Sequence, residues 1–222
     1  MKYTLAFDVY GTLINISGVF NSLEKMIGDK AKPVMDTWRN KQLEYSFRRG
    51  LMNSFVDFSV CTKEALEFSC LTFKVNLSEA QKAALMDEYK VLRSFPDVKQ
   101  GLQKLKNDGH KLYAFSNGSA NTVSNLLINA GISELFDGVI SVEAVQVFKP
   151  SPKVYQYFNK KTASTKLDSW LISSNPFDVT GAAIYGMKTA WVQRTQDSIF
   201  DPWEIKPTTI INNIIELSSK LK

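Results

Sequence analysis

Near the N-terminus the chain reads Leu5-Ala6-Phe7-Asp8-Val9-Tyr10-Gly11-Thr12-Leu13, a short apolar run that ends on a carboxylate and then meets a turn-forming glycine. A continuous apolar run of this length, bounded by a turn, reads as a strand buried on both faces, as in parallel sheets. In open α/β sheets the crevice beyond the carboxyl ends of the strands is where ligands bind. Asp8 is therefore a candidate for chemistry, provided that the chain supplies the rest of a parallel sheet.

It does so only after a long detour. From residue 95 onward, helical and strand patterns alternate. Strands are expected at 111–115, 138–141, 170–172 and 188–192, and helices at 97–106, 121–130, 151–159, 177–185 and, closing the chain, 209–220. Such alternation implies a parallel sheet with helices on both faces. Residues 17–92, in contrast, give only amphipathic helices. These are expected at 19–27 (stopped by Gly28), 34–49 (with Gly50 as the stop), 55–68 and 78–92, the last opened by Ser78-Glu79-Ala80-Gln81 with capping-box spacing. Nothing in this stretch pairs with the first strand, so that strand joins the later ones. The expected class is α/β, a Rossmann-like parallel sheet core made of residues 1–14 and 94–222, interrupted by an all-helical domain over 15–93.

Composition narrows the function. At 222 residues with 44% hydrophobic and 12% aromatic content, the chain can bury a substantial core. No apolar run approaches the roughly 18 residues of a membrane span, and the N-terminus lacks the features of a signal peptide; a cytoplasmic protein without membrane association is expected. Two cysteines, Cys61 and Cys70, make no disulfide framework and have no metal-ligand spacing, so they read as buried reduced thiols. The single histidine, His110, follows Asn107-Asp108-Gly109 and reads as a solvated loop residue, which leaves Ser-His-Asp catalysis unsupported. The net charge of +5 is scattered among acids and argues against nucleic-acid binding, while a mild positive field suits a small anionic substrate.

The polar residues at the expected strand ends carry more information. Asp8, Tyr10 and Thr12 follow the first strand, and Ser116 and Asn117 follow the second. Lys149 precedes Pro150, and Ser173, Asn175 and Asp178 follow a later strand. Each has a bland alternative: Thr12 and Ser116 as turn or cap residues, Asp178 as an acid favoured at a helix N-terminus, Lys149 as a surface lysine before a turn. Their convergence on one sheet edge favours a site.

These segments, Asp8-Val9-Tyr10-Gly11-Thr12, Ser116-Asn117-Gly118, Lys149-Pro150 and Ser173-Ser174-Asn175-Pro176-Phe177-Asp178, resemble in order the four motifs of the haloacid dehalogenase superfamily, and the helical insertion resembles its cap domain. Two departures from the superfamily's magnesium-dependent phosphatases matter. Tyr10 stands where those enzymes carry their acid–base aspartate, and a phenol of pKa about 10 cannot replace it near neutral pH. Ser174 stands where they carry a metal-binding aspartate, and magnesium prefers carboxylate oxygens, so no metal and no other cofactor is expected. A halide leaves as a stable anion and needs no acid. With Trp38-Arg39-Asn40-Lys41-Gln42-Leu43-Glu44-Tyr45 in the helical insertion, the chain is similar to the L-2-haloacid dehalogenase subgroup.

The resemblance implies a metal-independent conversion of L-2-haloalkanoic acids to D-2-hydroxyalkanoic acids through an aspartyl ester. It implies Asp8 as nucleophile, Lys149 as the cation beside it, and Thr12 and Ser173 as groups orienting the carboxylates and lysine. Ser116 and Asn117 would hold the substrate carboxylate, Arg39 and Asn175 the departing halide, and Asp178 the hydrolytic water, with Tyr155 hydrogen-bonding near the reacting carboxylates. Tyr10, Leu43, Phe58 and Phe177 would line the pocket for the carbon chain. Arg39 shares a helix face with Met35, Leu43 and Phe47; inside an apolar stripe its charge is costly unless paired, or it snorkels outward. The alternatives are a small-molecule phosphatase of the same fold and a non-enzymatic binding protein that keeps it. Haloacid and halide are the expected small-molecule partners, and a homodimer is compatible with the resemblance.

Overall fold

The structure is a computed structural model and describes residues 1–221. Six parallel strands form one sheet: β1 (Thr4–Phe7), β2 (Lys111–Ser116), β3 (Gly138–Ser141), β4 (Ser169–Ser173), β5 (Lys188–Val192) and β6 (Thr209–Ile211), in the order β3-β2-β1-β4-β5-β6. β1 is central, with Phe7 level with Ala114 of β2 on one side and Ile172 of β4 on the other. The strand order reverses there, so the crevice beyond Phe7 is the switch point at which open α/β sheets bind ligands.

Period-two alternation sends side chains to two apolar layers. Leu5, Phe7, Ala114 and Ile172 face a layer covered by α5 (Val98–Asn107), α6 (Ala120–Asn129) and α9 (Leu217–Lys220). Ala6, Phe115 and Leu171 face a second layer under α7 (Pro152–Thr162) and α8 (Pro176–Tyr185). Both faces of the sheet are covered, which is why its strands read as apolar runs.

Between β1 and β2 the chain forms α1 (Ser17–Ile27), α2 (Ala31–Leu51), α3 (Phe58–Phe73) and α4 (Glu79–Glu88), and none of the described residues from 15 to 93 joins the sheet. α2 and α3 form the main packed pair. The chain leaves and re-enters the sheet region side by side: Asn15 N donates to Arg93 O and Phe95 N to Leu13 O, both at 2.9 Å, with Ile14 and Ser94 bridged antiparallel. The Ser78–Gln81 capping box forms as expected, each side chain bonding the other residue's backbone N–H. No helix among the described residues is long and apolar enough to cross a membrane.

Several expectations are corrected. Residues 209–220 are not one helix: Thr209–Ile211 is the edge strand β6, paired with β5. Its Thr-Ile-Ile triplet is β-branched and suits a strand. Asn213 then caps a short turn by accepting from Glu216 N, leaving α9 only four residues. α2 runs through Gly50 to Leu51, and α3 starts at Phe58 because Asp57 accepts from Ser59 N, then continues to Phe73. His110 is buried, not solvated: Tyr3 N donates to its Nδ1 at 3.0 Å and its ring stacks on Tyr3, burial holding its pKa below the usual value. Cys61 and Cys70 are buried and unpaired, as the sequence suggested.

One glycine fixes how closely α8 approaches the lysine-bearing turn. A Cβ at Gly181 would lie 2.5 Å from Pro150 Cβ and 2.7 Å from the Tyr155 hydroxyl. Gly181→Ala is expected to destabilise by about 1–3 kcal/mol through overpacking, a fall in Tm of several degrees measurable by thermal unfolding; an unchanged Tm would mean that this contact relaxes freely.

Candidate active site

Asp8 sits immediately beyond β1, with its side chain 12% exposed. Its two oxygens are treated differently. Oδ2 accepts from Thr12 Oγ1 at 2.8 Å, Asn175 Nδ2 at 2.7 Å and Ser173 Oγ at 3.1 Å. Among the described residues Oδ1 accepts only from the Lys149 ammonium, at 3.3 Å. Three donors hold the carboxylate's orientation through one oxygen and leave the other with free lone pairs. Gly11, at φ +78°, provides the turn that brings Thr12 back over Asp8.

Lys149 comes from the turn after β3 and is 1% exposed. Its ammonium also donates to Asp178 Oδ2 and to the Phe115 carbonyl, each at 2.8 Å, and lies 4.3 Å from the Phe115 ring centre. Burial disfavours its charge, but Asp178 and then Asp8 outweigh that, and its pKa stays above the ordinary lysine value. Asp178, in the first turn of α8, is fully buried. Burial and the neighbouring Asp8 charge outweigh Lys149 and push its pKa above the usual carboxylate range. Tyr155, from α7, donates to Asp178 Oδ1 at 2.8 Å; burial and Asp178 keep it a phenol. Asn175 precedes α8 in the N-cap position without capping it, because its amide is engaged with Asp8 on one side and Arg39 on the other.

Arg39 reaches the sheet edge from α2. Its guanidinium donates to Asn175 Oδ1 at 3.1 Å and Gln42 Oε1 at 2.6 Å. Among the described residues no carboxylate lies within the 4.0 Å of an ion pair. Enclosure by protein pulls its pKa below the ordinary arginine value, against the opposing influence of Tyr89 and Asp8. Gln42 is held in turn by Thr62 Oγ1 at 2.6 Å, so a relay of hydrogen bonds runs from α3 through α2 to Asn175 and Asp8.

Tyr10 lies across this region, its ring edge-on to Tyr89 and close to Gly118, and burial drives its pKa up. Tyr10, Arg39 and Phe58 line a cavity of about 720 Å³ between the helical segment and the turn after β2. Ser116 and Asn117 are buried in that turn: Ser116 Oγ accepts from Gly118 N at 3.1 Å, and Asn117 Oδ1 accepts from Lys149 N at 3.0 Å. Phe177 packs on Phe47 and lines a separate hollow of about 310 Å³, and Leu43, one turn beyond Arg39, is half-buried; like Asp8, Ser116, Asn117 and Asn175, neither lines the large cavity.

Sequence reasoning passed over Gln42, Thr62, Tyr89 and Arg194. Buried Gln42 three residues after Arg39 was a readable signal. Arg194 donates from Nε to the Thr12 carbonyl at 3.1 Å and from Nη1 to Asp97 at 2.8 Å, with its guanidinium over Phe95. It braces the turn that carries Thr12 from a distance of 182 residues in sequence, which no local pattern reveals.

The donor set does not fit magnesium. Lys149 stands between the site's two carboxylates, and Ser174, in place of a third, donates its hydroxyl to the Gly11 carbonyl. Among the described residues no group of three or more His, Cys, Asp or Glu side chains is placed to hold a metal ion. A hard divalent cation would have to displace the ammonium.

A parallel α/β sheet with a carboxylate nucleophile candidate at its switch point, a buried lysine and a second carboxylate defines a class of hydrolase-like folds. Residues 5–192 match the family described as haloacid dehalogenase-like hydrolase. The chain is 34% identical over 217 residues to an (S)-2-haloacid dehalogenase of Pseudomonas putida, covering 98% of this chain and 95% of that one. It is similar, at TM-score 0.90 and 30% identity, to the L-2-haloacid dehalogenase of Xanthobacter autotrophicus, over 100% of this chain and 98% of that one. The same holds for that enzyme's structure with chloropropionic acid covalently bound. The chain belongs to the haloacid dehalogenase-like hydrolase family.

Removing the shared cation tests the electrostatics. Lys149→Met leaves Asp8 and Asp178 facing each other without it and is expected to lower stability by about 3–5 kcal/mol at neutral pH. Protonating one carboxylate relieves their repulsion, so the deficit should shrink as pH falls. Denaturant unfolding at pH 7 and pH 5 checks both; a deficit independent of pH would contradict the shared-cation geometry.

Proposed function

We propose that this protein hydrolyses L-2-haloalkanoates, the (S) enantiomers, to D-2-hydroxyalkanoates through an ester on Asp8, with residues 15–93 acting as a cap over the sheet. The observation that carries this reading is Arg39. A half-buried guanidinium at the cavity wall, bonded among the described residues only to two neutral amide oxygens, is short of an anion. It lies one residue from the nucleophile, linked to it through Asn175. That is where a departing halide needs a partner.

In the first half-reaction Asp8 Oδ1 attacks C2 from the side opposite the halogen. The carbon–halogen bond breaks, its electron pair leaves with the halide toward Arg39 and Asn175, and C2 inverts. No proton is required, which suits a site with Tyr10 two residues after Asp8. Ser116, Asn117 and the backbone N–H groups of their turn receive the substrate carboxylate. In the second half-reaction Asp178 takes a proton from water, whose oxygen attacks the Asp8 carbonyl carbon. The amides of Val9 and Tyr10, which donate to no protein acceptor among the described residues, face the developing oxyanion. Collapse breaks the bond between that carbon and the ester oxygen, Asp178 returns its proton to this oxygen so that the hydroxyacid leaves, and Asp8 gives the remaining proton to solvent and keeps a water oxygen. Lys149 keeps its proton throughout and neutralises the carboxylates. The subgroup likeness further suggests a cytoplasmic homodimer.

With chelator present, halide release from (S)-2-chloropropionate but not from the (R) form is expected, and Asp8→Asn should abolish it; release that appears only on adding magnesium would overturn the reading. Arg39→Met should lower kcat by about 10²–10³-fold, as for loss of one strong electrostatic group in a transition state, while a near-normal kcat would remove Arg39 from the halide's path. Asp178 acts as a carboxylate and its pKa is raised. kcat should therefore fall on acidification at a pH above the ordinary carboxylate value of about 4. A rate unchanged down to pH 4 would argue against Asp178 as base.

A further inference from the structure

The cavity is far larger than the smallest substrate of such a reaction needs. At about 720 Å³ it falls in the range of pockets that bury drug-sized ligands, about 300–1,000 Å³, whereas a three-carbon haloacid has only six non-hydrogen atoms. Its walls include Tyr10, two residues after Asp8, Gly118, and Arg39, linked to Asp8 through Asn175; Asp8 itself does not line it, and its outer walls come from α3 and α4.

Its walls indicate what fills the excess. Tyr10, Ile16, Phe58, Met86 and Tyr89 present apolar surface. Tyr10 and Tyr89 are edge-on to each other, and burial pushes the Tyr89 phenol up to about 12, so both remain neutral. Most charges at the mouth are matched among themselves: Lys82 with Glu67 and Glu79, Lys90 with Asp87, Glu64 with Arg49, while Lys63 lies near Glu79 without an ion pair among the described residues. Asp57 is engaged in capping α3. The outer cavity thus offers an apolar path ending in a rim of mostly paired charges, with Lys63 as a single unpaired cation and no cationic cluster among the described residues to hold a second acid group.

We propose that the outer cavity receives the hydrocarbon tail of the substrate, and that the preferred substrates are 2-haloalkanoates of about six to ten carbons with an apolar tail. This rests on the dehalogenase reading above and adds the substrate class. C2 and the carboxylate stay at Asp8 and the turn after β2, and the tail passes Tyr10 toward Met86 and Ala83. Burying the tail stabilises ground state and transition state alike, so it raises kcat/KM and leaves kcat nearly constant.

The test is a homologous series of (S)-2-bromoalkanoates from three to ten carbons, assayed for bromide release. kcat/KM should rise by about fourfold per methylene over the middle of the series, mainly through KM. Ala83→Trp and Met86→Trp, which fill the outer cavity, should remove most of that gain while leaving turnover of 2-bromopropionate unchanged. A flat or falling kcat/KM with chain length, while 2-bromopropionate is turned over, would overturn the inference and leave the dehalogenase reading intact. A 2-bromo dicarboxylate used better than the monocarboxylate of equal length would also overturn it. No bromide from any member of the series would instead defeat the dehalogenase reading on which it rests.

Discussion

One buried ammonium, that of Lys149, holds this site together. It lies 3.3 Å from Asp8 and 2.8 Å from Asp178, carboxylates contributed by the end of β1 and the start of α8. Desolvating a charge costs several kcal/mol and is offset only by close pairing and additional hydrogen bonds. Here the Phe115 carbonyl, Tyr155, Thr12, Ser173 and Asn175 supply them. Two carboxylates around one cation still leave a net negative charge, and Arg39 from α2 brings the second cation. The helical segment therefore completes the electrostatics of the sheet edge as well as covering it.

That arrangement also separates this chain from chemistry that needs an acid or a divalent metal. Lys149 occupies the space between the carboxylates, and Ser174 is tied to Gly11 and Thr12. An aromatic ring, Tyr10, stands two residues after Asp8, against the Ser116–Gly118 turn. A carbon electrophile with a stable leaving anion suits these surroundings. Family membership alone would not have distinguished this from phosphate-ester hydrolysis; fold and function are separable, and the decision rests on positions 10, 39 and 174.

Much of this was legible in the sequence, and the failures have physical causes. The parallel strands announced themselves as apolar runs because both sheet faces are covered, and the polar residues just beyond them converge on the site. Residues 209–220 misled because Ile210, Ile211, Ile214 and Leu217 fit a helical stripe as well as an edge strand followed by a turn, and only pairing with β5 decides between them. His110 looked solvated because its burial depends on Tyr3, 107 residues away. That Phe177 lies against Phe47 and a separate hollow depends on side-chain direction on α8, which is a matter of packing. Arg194 carried no local signal at all.

The central claim is that Asp8 forms an ester with C2 and that water reopens it at the carboxyl carbon. A single turnover in heavy-oxygen water, with enzyme in excess over (S)-2-chloropropionate, tests it most directly, followed by mass spectrometry of the peptide containing Asp8. Incorporation of one heavy oxygen into that carboxylate, with unlabelled 2-hydroxypropionate, is the predicted result. Label in the product alone would show that water attacks C2 directly and would contradict the account.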